Sequence, residues 1–294
     1  MGQASRVRAL LQKQEMIVAP GAYDCITARL IEQAGFTAVY MTGAGIAASL
    51  GYPDFGLVTM SEMVASARRI ATAVELPVIA DADTGYGNEL NAFRTVREYE
   101  RSGVAGIHIE DQVFPKKCGH LEGKEVVGRE EYVAKIRAAC AARRDREFMI
   151  IARTDARAVA GFDEAIARAN AALAAGAHMA FVEAPQTIDE VAAVPRLVKG
   201  PCLLNVVRGG KTPDIDLRQA EALGYKLAIV PGLLIKSVIG ICDKMLSELK
   251  STHRHPPPIK EMTLPDMFRR FGADEWDALR ERFRDISAIR EAGE

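Results

Sequence analysis

The sequence lacks an excess of charge of either sign. Lys and Arg number 38 against 39 Asp and Glu, so the formal net charge is -1. Proteins that bind nucleic acid or anionic membranes commonly carry a basic surface. We therefore expect neither kind of partner. No apolar run approaches the ~20 residues that span a bilayer, and the first fifteen residues lack the apolar core of a secretory signal. These features predict a cytoplasmic protein.

Paired cysteines are also missing. The five cysteines are an odd number and are widely scattered, which is typical of reduced cytosolic thiols and excludes a zinc cluster built on cysteine pairs. Four of them, Cys25, Cys140, Cys202 and Cys242, lie in helical or strand patterns and are interpreted as small core residues. Cys118 differs, because it lies in a loop between glycines and basic residues.

Eight short apolar runs divide the chain, and most contain β-branched residues. They are residues 17–19, 38–41, 77–80, 106–109, 148–151, 180–182, 202–204 and 227–230. Continuous apolar strands suit a parallel sheet buried on both faces. Helical patterns lie between them, for example at 24–31, 130–143 and 163–175, and several end at a glycine suited to the left-handed position after a helix.

The alternation of strand and helix predicts a (β/α)8 barrel of the TIM type. A doubly wound sheet is the second candidate. That fold would be expected to show a glycine-rich phosphate loop after the first strand, where this chain has Pro20-Gly21-Ala22-Tyr23. With 294 residues and 49% hydrophobic content, the chain is long enough for one barrel-sized domain.

We assign residues 1–250 to the barrel and 251–294 to a C-terminal helical extension joined by a proline-rich link. The link contains Pro256, Pro257 and Pro258. Residues 263–291 show one or two amphipathic helices with an apolar stripe of Met267, Phe268, Phe271, Trp276, Leu279, Phe283 and Ile286. Such a stripe needs a partner surface, either the barrel itself or a neighbouring subunit.

Polar side chains follow most of the predicted strands, where the active site of such a barrel is expected. They include Thr42, Asp81, Asp83, Glu110, Arg153, Glu183 and Asn205. Asp81 and Asp83 are two residues apart, so they point to one face of an extended segment. With Glu110 they form an oxygen-only set that suits Mg²⁺ or Mn²⁺. The alternative is that both aspartates only shape a turn.

The segment Lys116-Lys117-Cys118-Gly119-His120 predicts a second element of chemistry. Positive neighbours lower the pKa of a thiol, and a thiol that titrates near neutrality can transfer a proton. On a mobile loop, Cys118 would swing over the barrel mouth. The alternative is an ordinary exposed cysteine on a basic loop.

Two further side chains have competing interpretations. Arg153 at the end of the fifth strand suits a bidentate clamp on a substrate carboxylate, or a buried salt bridge to Glu183 or Asp155. His108 shares a face with Glu110 and is interpreted as a hydrogen-bonded residue behind the site in preference to a catalytic acid.

Six motifs together resemble the isocitrate lyase / phosphoenolpyruvate mutase superfamily, in its branch with a Lys-Lys-Cys-Gly-His loop. They are Pro20-Gly21-Ala22-Tyr23-Asp24, Tyr40-Met41-Thr42-Gly43, Asp81-Ala82-Asp83-Thr84-Gly85-Tyr86-Gly87, His108-Ile109-Glu110-Asp111-Gln112, Lys116-Lys117-Cys118-Gly119-His120 and Ile151-Ala152-Arg153-Thr154-Asp155-Ala156. The resemblance implies a homotetramer of (β/α)8 barrels whose C-terminal helices are swapped between subunits.

The resemblance also implies the roles of individual residues. Cys118, Arg153 and Tyr40 would be catalytic, with Cys118 as the acid that protonates the enolate-like product. Mg²⁺, or Mn²⁺, would be bound by Asp81 and Asp83, directly or through water, with Asp54 and Glu110 further out. The substrate, a small carboxylate, would be held by Thr42, Gly43, Ala44, Gly119, His120, Arg153, Glu183, Asn205 and Lys236.

One position departs from the pattern that the resemblance leads us to expect. Where 2-methylisocitrate lyases would have an arginine for a third carboxylate, this chain has Lys236, which is not an equivalent bidentate clamp. We therefore expect a lyase acting on a 2-hydroxy di- or tricarboxylate, with a malate-type diacid favoured. A phosphonomutase of the carboxyphosphonoenolpyruvate type and a catalytically inactive metabolite-binding barrel are the alternatives.

Overall fold

The computed structural model describes residues 2–284, and eight strands in that range form a closed parallel barrel. They are β1 Ile17–Ala22, β2 Val39–Met41, β3 Val78–Asp81, β4 Gly106–Glu110, β5 Met149–Thr154, β6 Met179–Val182, β7 Cys202–Asn205 and β8 Leu227–Val230. Each strand pairs with the next in sequence, and β8 pairs with β1 to close the ring. The predicted TIM-type fold is confirmed.

Each strand overlaps its predicted run, and β1 and β5 each extend three residues beyond it. The predicted apolar run of β1 ended at residue 19, before a proline and a glycine, residues that are uncommon inside strands. In the structure β1 continues through Pro20 and Gly21, and Gly21 pairs with Tyr40 of β2. A Cβ atom at Gly21 would lie 2.5 Å from the carbonyl oxygen of Pro231. Glycine therefore lets β1 approach the segment that follows β8.

Helices follow the strands. They are α1 Gln3–Leu11, α2 Cys25–Gln33, α3 Gly43–Ser49, α4 Met60–Ala73, α5 Glu89–Ser102, α6 Arg129–Ala142, α7 Ala156–Val159, α8 Phe162–Ala174, α9 Ile188–Leu197, α10 Leu217–Ala222, α11 Leu233–Thr252, α12 Leu264–Arg269 and α13 Ala273–Arg284. Helix α2 shows why the boundaries are sharp: the Asp24 side chain accepts a hydrogen bond from the backbone N–H of Thr27 at 2.7 Å. At the other end of a helix, Gly103 caps α5 with φ 90°.

Apolar side chains fill the barrel interior. A buried cluster contains Tyr40, Ile79, Ile151, Phe181 and the side chains that begin several strands. Val7 of α1 belongs to the same cluster. Helix α1 therefore covers the amino ends of the strands, which leaves the carboxyl ends as the open mouth.

By its internal contacts the chain divides into two compact units, Met1–Val238 and Ile239–Glu294. Helix α11 runs past residue 250 and ends at Thr252, so the predicted division after residue 250 stays a prediction. In the second unit α12 and α13 carry the predicted stripe. Met267, Phe268, Trp276, Leu279 and Phe283 are exposed, Phe271 is half-buried, and Ile286 lies outside the described residues.

Two of the cysteines assigned to the core are exposed instead. Cys25, at the start of α2, and Cys242, on α11, face outward, whereas Cys202 is buried and Cys140 is half-buried. A helical pattern does not by itself tell which face a single small residue occupies, which is why the prediction failed. None of the helices between residues 2 and 284 is long and apolar enough to cross a membrane.

Candidate active site at the carboxyl end of the barrel

A cavity of about 450 Å³ opens at the carboxyl ends of the strands. Its walls include predicted site residues from most of the chain: Tyr40, Thr42, Ala44, Asp54, Asp81, Cys118, His120, Arg153, Asn205 and Lys236. Gly43, Asp83, Glu110, Gly119 and Glu183 are buried and lie next to these side chains. The barrel therefore brings the predicted residues to one place.

Asp81 ends β3 with its carboxylate at the cavity wall. Its Oδ2 lies 3.4 Å from the Tyr40 hydroxyl, and its Oδ1 lies 3.5 Å from Nε2 of His108. Burial alone would raise the pKa of this carboxyl, but His108, Lys116 and Arg153 outweigh it and lower the pKa to about 2. Asp81 is therefore an ionised carboxylate at neutral pH.

His108 and Tyr40 support Asp81 from inside the barrel. The Tyr40 hydroxyl is 2.8 Å from Nε2 of His108. Burial lowers the pKa of His108 to about 4, so its ring is neutral. Burial also raises the pKa of Tyr40 well above its ordinary value, so this phenol keeps its proton. His108 is hydrogen-bonded as predicted, and the absence of a catalytic role for it stays a prediction.

A lysine ammonium lies between the remaining two aspartates. Nζ of Lys116 is 2.5 Å from Oδ1 of Asp54 and 2.9 Å from Oδ1 of Asp83. Burial, with the charges on Asp81 and Asp54, raises the pKa of Asp83 to about 6, against the opposing effect of Lys116. Lys116 is thus a partner of the acidic cluster rather than of the thiol, contrary to the sequence-based interpretation.

Glu110 is fully buried, and neither of its carboxylate oxygens has a hydrogen-bond partner among the described residues. Nη1 of Arg153 lies 3.2 Å from Oε2 of Glu110, so the two side chains form an ion pair although their geometry is not that of a hydrogen bond. Burial raises the pKa of Glu110 well above its ordinary value. A buried carboxyl with free oxygens requires a further polar partner, such as bound water.

The acidic side chains do not form a closed cage for a metal ion. No group of three or more His, Cys, Asp or Glu side chains between residues 2 and 284 is arranged to hold one. Asp81 lines the cavity, and Gly43 at the start of α3 lies directly against its carboxylate: a Cβ there would lie 2.4 Å from Oδ2, so glycine is what allows this close contact. One facing carboxylate, with Glu110 and Asp83 further back, fits Mg²⁺, which retains several water ligands.

Arg153 is the penultimate residue of β5 and is surrounded by carboxylates. Its Nε and Nη2 donate to the two oxygens of Asp155 at 2.9 and 3.2 Å. Its Nε also lies 3.7 Å from Glu183, and its guanidinium lies over the ring of Phe181. These contacts fix the guanidinium plane at the cavity wall, where its remaining N–H groups are available to a ligand.

Cys118 is half-buried at the cavity wall, and its backbone N–H donates to the carbonyl oxygen of Asp54 at 3.1 Å. Burial raises the pKa of its thiol, and the charge of Asp54 acts in the same direction. The prediction of a lowered thiol pKa is therefore wrong. Lys116 is turned toward the aspartates, and Lys117 Nζ donates to the carbonyl of Gly123. The thiol keeps its proton at neutral pH.

His120 joins two loops over the cavity. Its Nδ1 accepts from the backbone N–H of Lys211 at 3.0 Å, and its Nε2 lies 2.9 Å from Oε1 of Glu183. The first contact places the ring proton on Nε2, from where it is donated to Glu183. Asn205 also donates to Glu183, at 3.2 Å. Arg153, His120 and Lys124 overcome burial and lower the pKa of Glu183 to about 2.

Lys236 lines the cavity, but its Nζ donates to the backbone carbonyl of Arg208 at 2.7 Å. Three apolar residues precede Lys236 in sequence: Ile235 lines the cavity, Leu234 packs against the buried core, and Leu233 is exposed. Sequence reasoning missed Lys124 and Lys211. Lys124 had a signal in its closeness to the Cys118 motif, whereas Lys211 lies in a loop without a motif.

A family model described as phosphoenolpyruvate phosphomutase matches residues 7–250. The chain belongs to the phosphoenolpyruvate mutase/isocitrate lyase superfamily. The predicted membership is thereby confirmed, and relatives of the chain in this superfamily are named as carbon–carbon lyases.

Two curated relatives of this superfamily member differ in name. The chain is 53% identical over 232 residues to 2,3-dimethylmalate lyase of Eubacterium barkeri. The matched region covers 79% of this chain and 80% of the relative. The chain is also 40% identical over 290 residues to the chloroplastic carboxyvinyl-carboxyphosphonate phosphorylmutase of Arabidopsis thaliana, and the matched region covers 96% of this chain and 85% of the relative.

Solved structures of the superfamily are equally similar in fold. A crystal structure of 2,3-dimethylmalate lyase superimposes with a TM-score of 0.90 at 41% identity, covering 95% of this chain and 94% of the other. A phosphonopyruvate hydrolase in complex with oxalate and Mg²⁺ gives 0.88 at 30% identity, covering 97% of this chain and 100% of the other.

Proposed function

We propose that this protein is a Mg²⁺-dependent carbon–carbon lyase that cleaves a 2-hydroxy dicarboxylate of the alkylmalate type to a 2-oxo acid and a second carboxylic acid. The observation that carries the proposal is one cavity shared by an ionised Asp81, a fixed guanidinium at Arg153 and a protonated thiol at Cys118. An inactive metabolite-binding barrel would have no need for this combination.

Mg²⁺ would be held by Asp81, with Asp83, Asp54 and Glu110 contributing through water. When bound, it would supply Lewis-acid stabilisation of negative charge on the substrate oxygen at C2. The buried oxygens of Glu110, which have no hydrogen-bond partner among the described residues, support this placement. The oxalate and Mg²⁺ complex of phosphonopyruvate hydrolase supports it by family relationship.

The substrate carboxylate next to C2 would be held by Arg153 and by the start of α3, at Thr42, Gly43 and Ala44. Glu183 and Asn205 would orient the rest of the ligand from the opposite wall, together with Gly119 and His120 of the loop. Arg153 suits this role because its guanidinium is already fixed by Asp155 and therefore loses little freedom on binding.

Cleavage requires two proton transfers. The hydroxyl at C2 gives its proton to the Tyr40 oxygen while the Tyr40 proton passes to His108 or Asp81, with which it is in contact. The C2–C3 bond then breaks, its electron pair forms the enediolate of the departing acid, and C2 becomes the 2-oxo carbon. Cys118 donates its proton to C3, which suits a thiol whose pKa is raised.

The apolar side chains of the cavity wall favour an alkyl group over a third carboxylate. Leu121, Val207 and Ile235 are among the residues that line the cavity. Lys236, the lysine expected near a third carboxylate, donates to the Arg208 carbonyl instead. A third carboxylate would have to draw Lys236 away from that carbonyl or remain without this cationic partner.

The test is kcat/KM across a panel of 2-hydroxy diacids and 2-methylisocitrate, with the 2-oxo acid product coupled to a dehydrogenase. We expect alkylmalates to exceed 2-methylisocitrate by at least ~10-fold, about 1.4 kcal/mol of transition-state discrimination. A preference for the tricarboxylate would contradict the pocket argument while leaving the lyase in place.

The phosphonomutase alternative is supported by the relative of that name in Arabidopsis thaliana. Phosphorus-31 NMR with a carboxyphosphonoenolpyruvate substrate separates the two functions. Formation of a P–C bond, with no 2-oxo acid released from any diacid, would replace the lyase with the mutase. We further propose a cytoplasmic homotetramer whose C-terminal helices are swapped between subunits, supported by the exposed apolar stripe of α12 and α13.

A further inference from the structure

A buried lysine lies just after the Cys118 segment. The side chain of Lys124 is only 2% exposed. Its Nζ donates to the carbonyl oxygen of Gly119, within the same loop, and to Oδ1 of Asp155 at 3.2 Å. A buried ammonium is costly unless it is paired and hydrogen-bonded. The ammonium of Lys124 is therefore hydrogen-bonded only in the loop conformation that brings the Gly119 carbonyl and Asp155 to it.

Asp155 connects that lysine to the substrate clamp. Besides Lys124, its carboxylate accepts both hydrogen bonds from Arg153. Its own backbone N–H donates to Asp111 at 2.7 Å, which fixes the end of β5. The loop also meets the guanidinium directly, since a Cβ at Gly119 would lie 2.4 Å from Nη2 of Arg153. The carboxylate of Asp155 therefore contacts both Lys124, which holds the loop, and Arg153, which it orients.

We propose that Lys124 and Asp155 are a positioning pair that holds the Cys118 loop over the cavity and orients Arg153 at the same time. The inference rests on the proposed function, and it identifies the residues that place the proton donor, Cys118, above the substrate. Neither side chain belongs to the cavity wall, so the pair acts through Cys118 and Arg153 rather than on the substrate.

The same loop carries a matched control. Glu122 forms an ion pair with Lys211 at 2.6 Å, and the side chain of Glu122 is 88% exposed. Exposed pairs contribute little because water and salt screen them. Glu122 and Lys124 are two residues apart in the same loop. Each pairs with a residue outside that loop, and the two ion pairs differ in burial.

The experiment compares Lys124→Met, Asp155→Asn, their combination and Glu122→Gln. The first readout is the rate at which iodoacetamide alkylates Cys118, followed by peptide mass spectrometry so that exposed Cys25 and Cys242 do not interfere. The second readout is the pair of constants kcat and KM with the best diacid. Thermal melting establishes that each variant folds, and Lys124→Gln replaces Lys124→Met if the latter does not.

We expect Lys124→Met to raise the Cys118 alkylation rate at least ~10-fold and to lower kcat by ~10²-fold, the scale on which misplacing a reacting group acts. Asp155→Asn should also raise KM, because it loosens Arg153. The double variant should be no worse than the worse single one, since both remove the same contact. Lys124→Arg should recover most of the loss, and Glu122→Gln should stay within about 2-fold.

A folded Lys124→Met protein with unchanged Cys118 alkylation would overturn the proposal, as would independent, multiplicative effects in the double variant. The alkylation arm needs no turnover. If the wild-type protein cleaves no diacid, the lyase fails, yet Cys118 alkylation still decides whether Lys124 and Asp155 hold the loop.

Discussion

Replacing Gly119 by alanine should impair catalysis without weakening the barrel. A Cβ atom at this position would lie 2.4 Å from Nη2 of Arg153 and 2.6 Å from Cγ of Glu183. Contacts below 3 Å cannot be tolerated, so either the loop or the two charged side chains must move. Neither side chain yields easily, because Arg153 is held by Asp155 and Glu183 by His120 and Asn205.

The size of the effect follows from which part moves. Overpacking of this kind costs about 1–3 kcal/mol. If the loop lifts to relieve it, the closed arrangement loses that free energy, and kcat/KM should fall by about 5–150-fold. The free energy of unfolding should hardly change, since the lifted loop relieves the strain in the folded protein.

The assay is kcat/KM together with a urea melt. Gly128→Ala serves as the control, because a Cβ there meets nothing within 4 Å and the residue has φ -55°, which alanine adopts freely. Wild-type kcat/KM in Gly119→Ala would refute the reasoning, since it would mean that catalysis does not require the loop to pack against Arg153 and Glu183.

Three further predictions concern the metal, the thiol and the C-terminal unit. Asp81→Asn should abolish turnover while leaving the melting temperature within a few degrees; undiminished turnover after exhaustive EDTA treatment would exclude a metal role. Cys118→Ala should lower kcat by ~10²-fold or more, while calorimetry should show that substrate binding is retained. A wild-type kcat would mean that Cys118 is not the proton donor and that the loop only covers the cavity. Deleting the residues after Pro258 should break the oligomer and expose apolar surface; a soluble truncated protein that elutes at the native size would contradict subunit joining through α12 and α13.

The sequence was sufficient for the barrel because strand and helix patterns are local and repeat eight times. The acidic and polar residues at the strand ends were equally predictable, since their place follows from the fold. Asp81, the last residue of β3, and Arg153, the penultimate residue of β5, are examples, and both line the cavity as expected.

Contacts between loops were not predictable in the same way. Lys116 was expected to act on its sequence neighbour Cys118, but its long side chain reaches Asp54 and Asp83 instead. The thiol pKa therefore depends on burial and on Asp54, which is 64 residues away in sequence, rather than on adjacent positive charge. Lys236 shows the same limit, because only the fold reveals that the carbonyl of Arg208 binds its ammonium.

The pairing of β1 with β8 has a consequence for how the chain folds. Ile17 lies beside Leu227, so the contact that closes the barrel joins segments about two hundred residues apart. Closing so long a loop costs conformational entropy, which slows folding. A nascent chain that has not yet produced β8 has two unpaired sheet edges, on β1 and on β7. Open edges of apolar strands are sites of intermolecular pairing. The vulnerable period of this protein is therefore its synthesis, and the last strand ends that period by removing both edges at once.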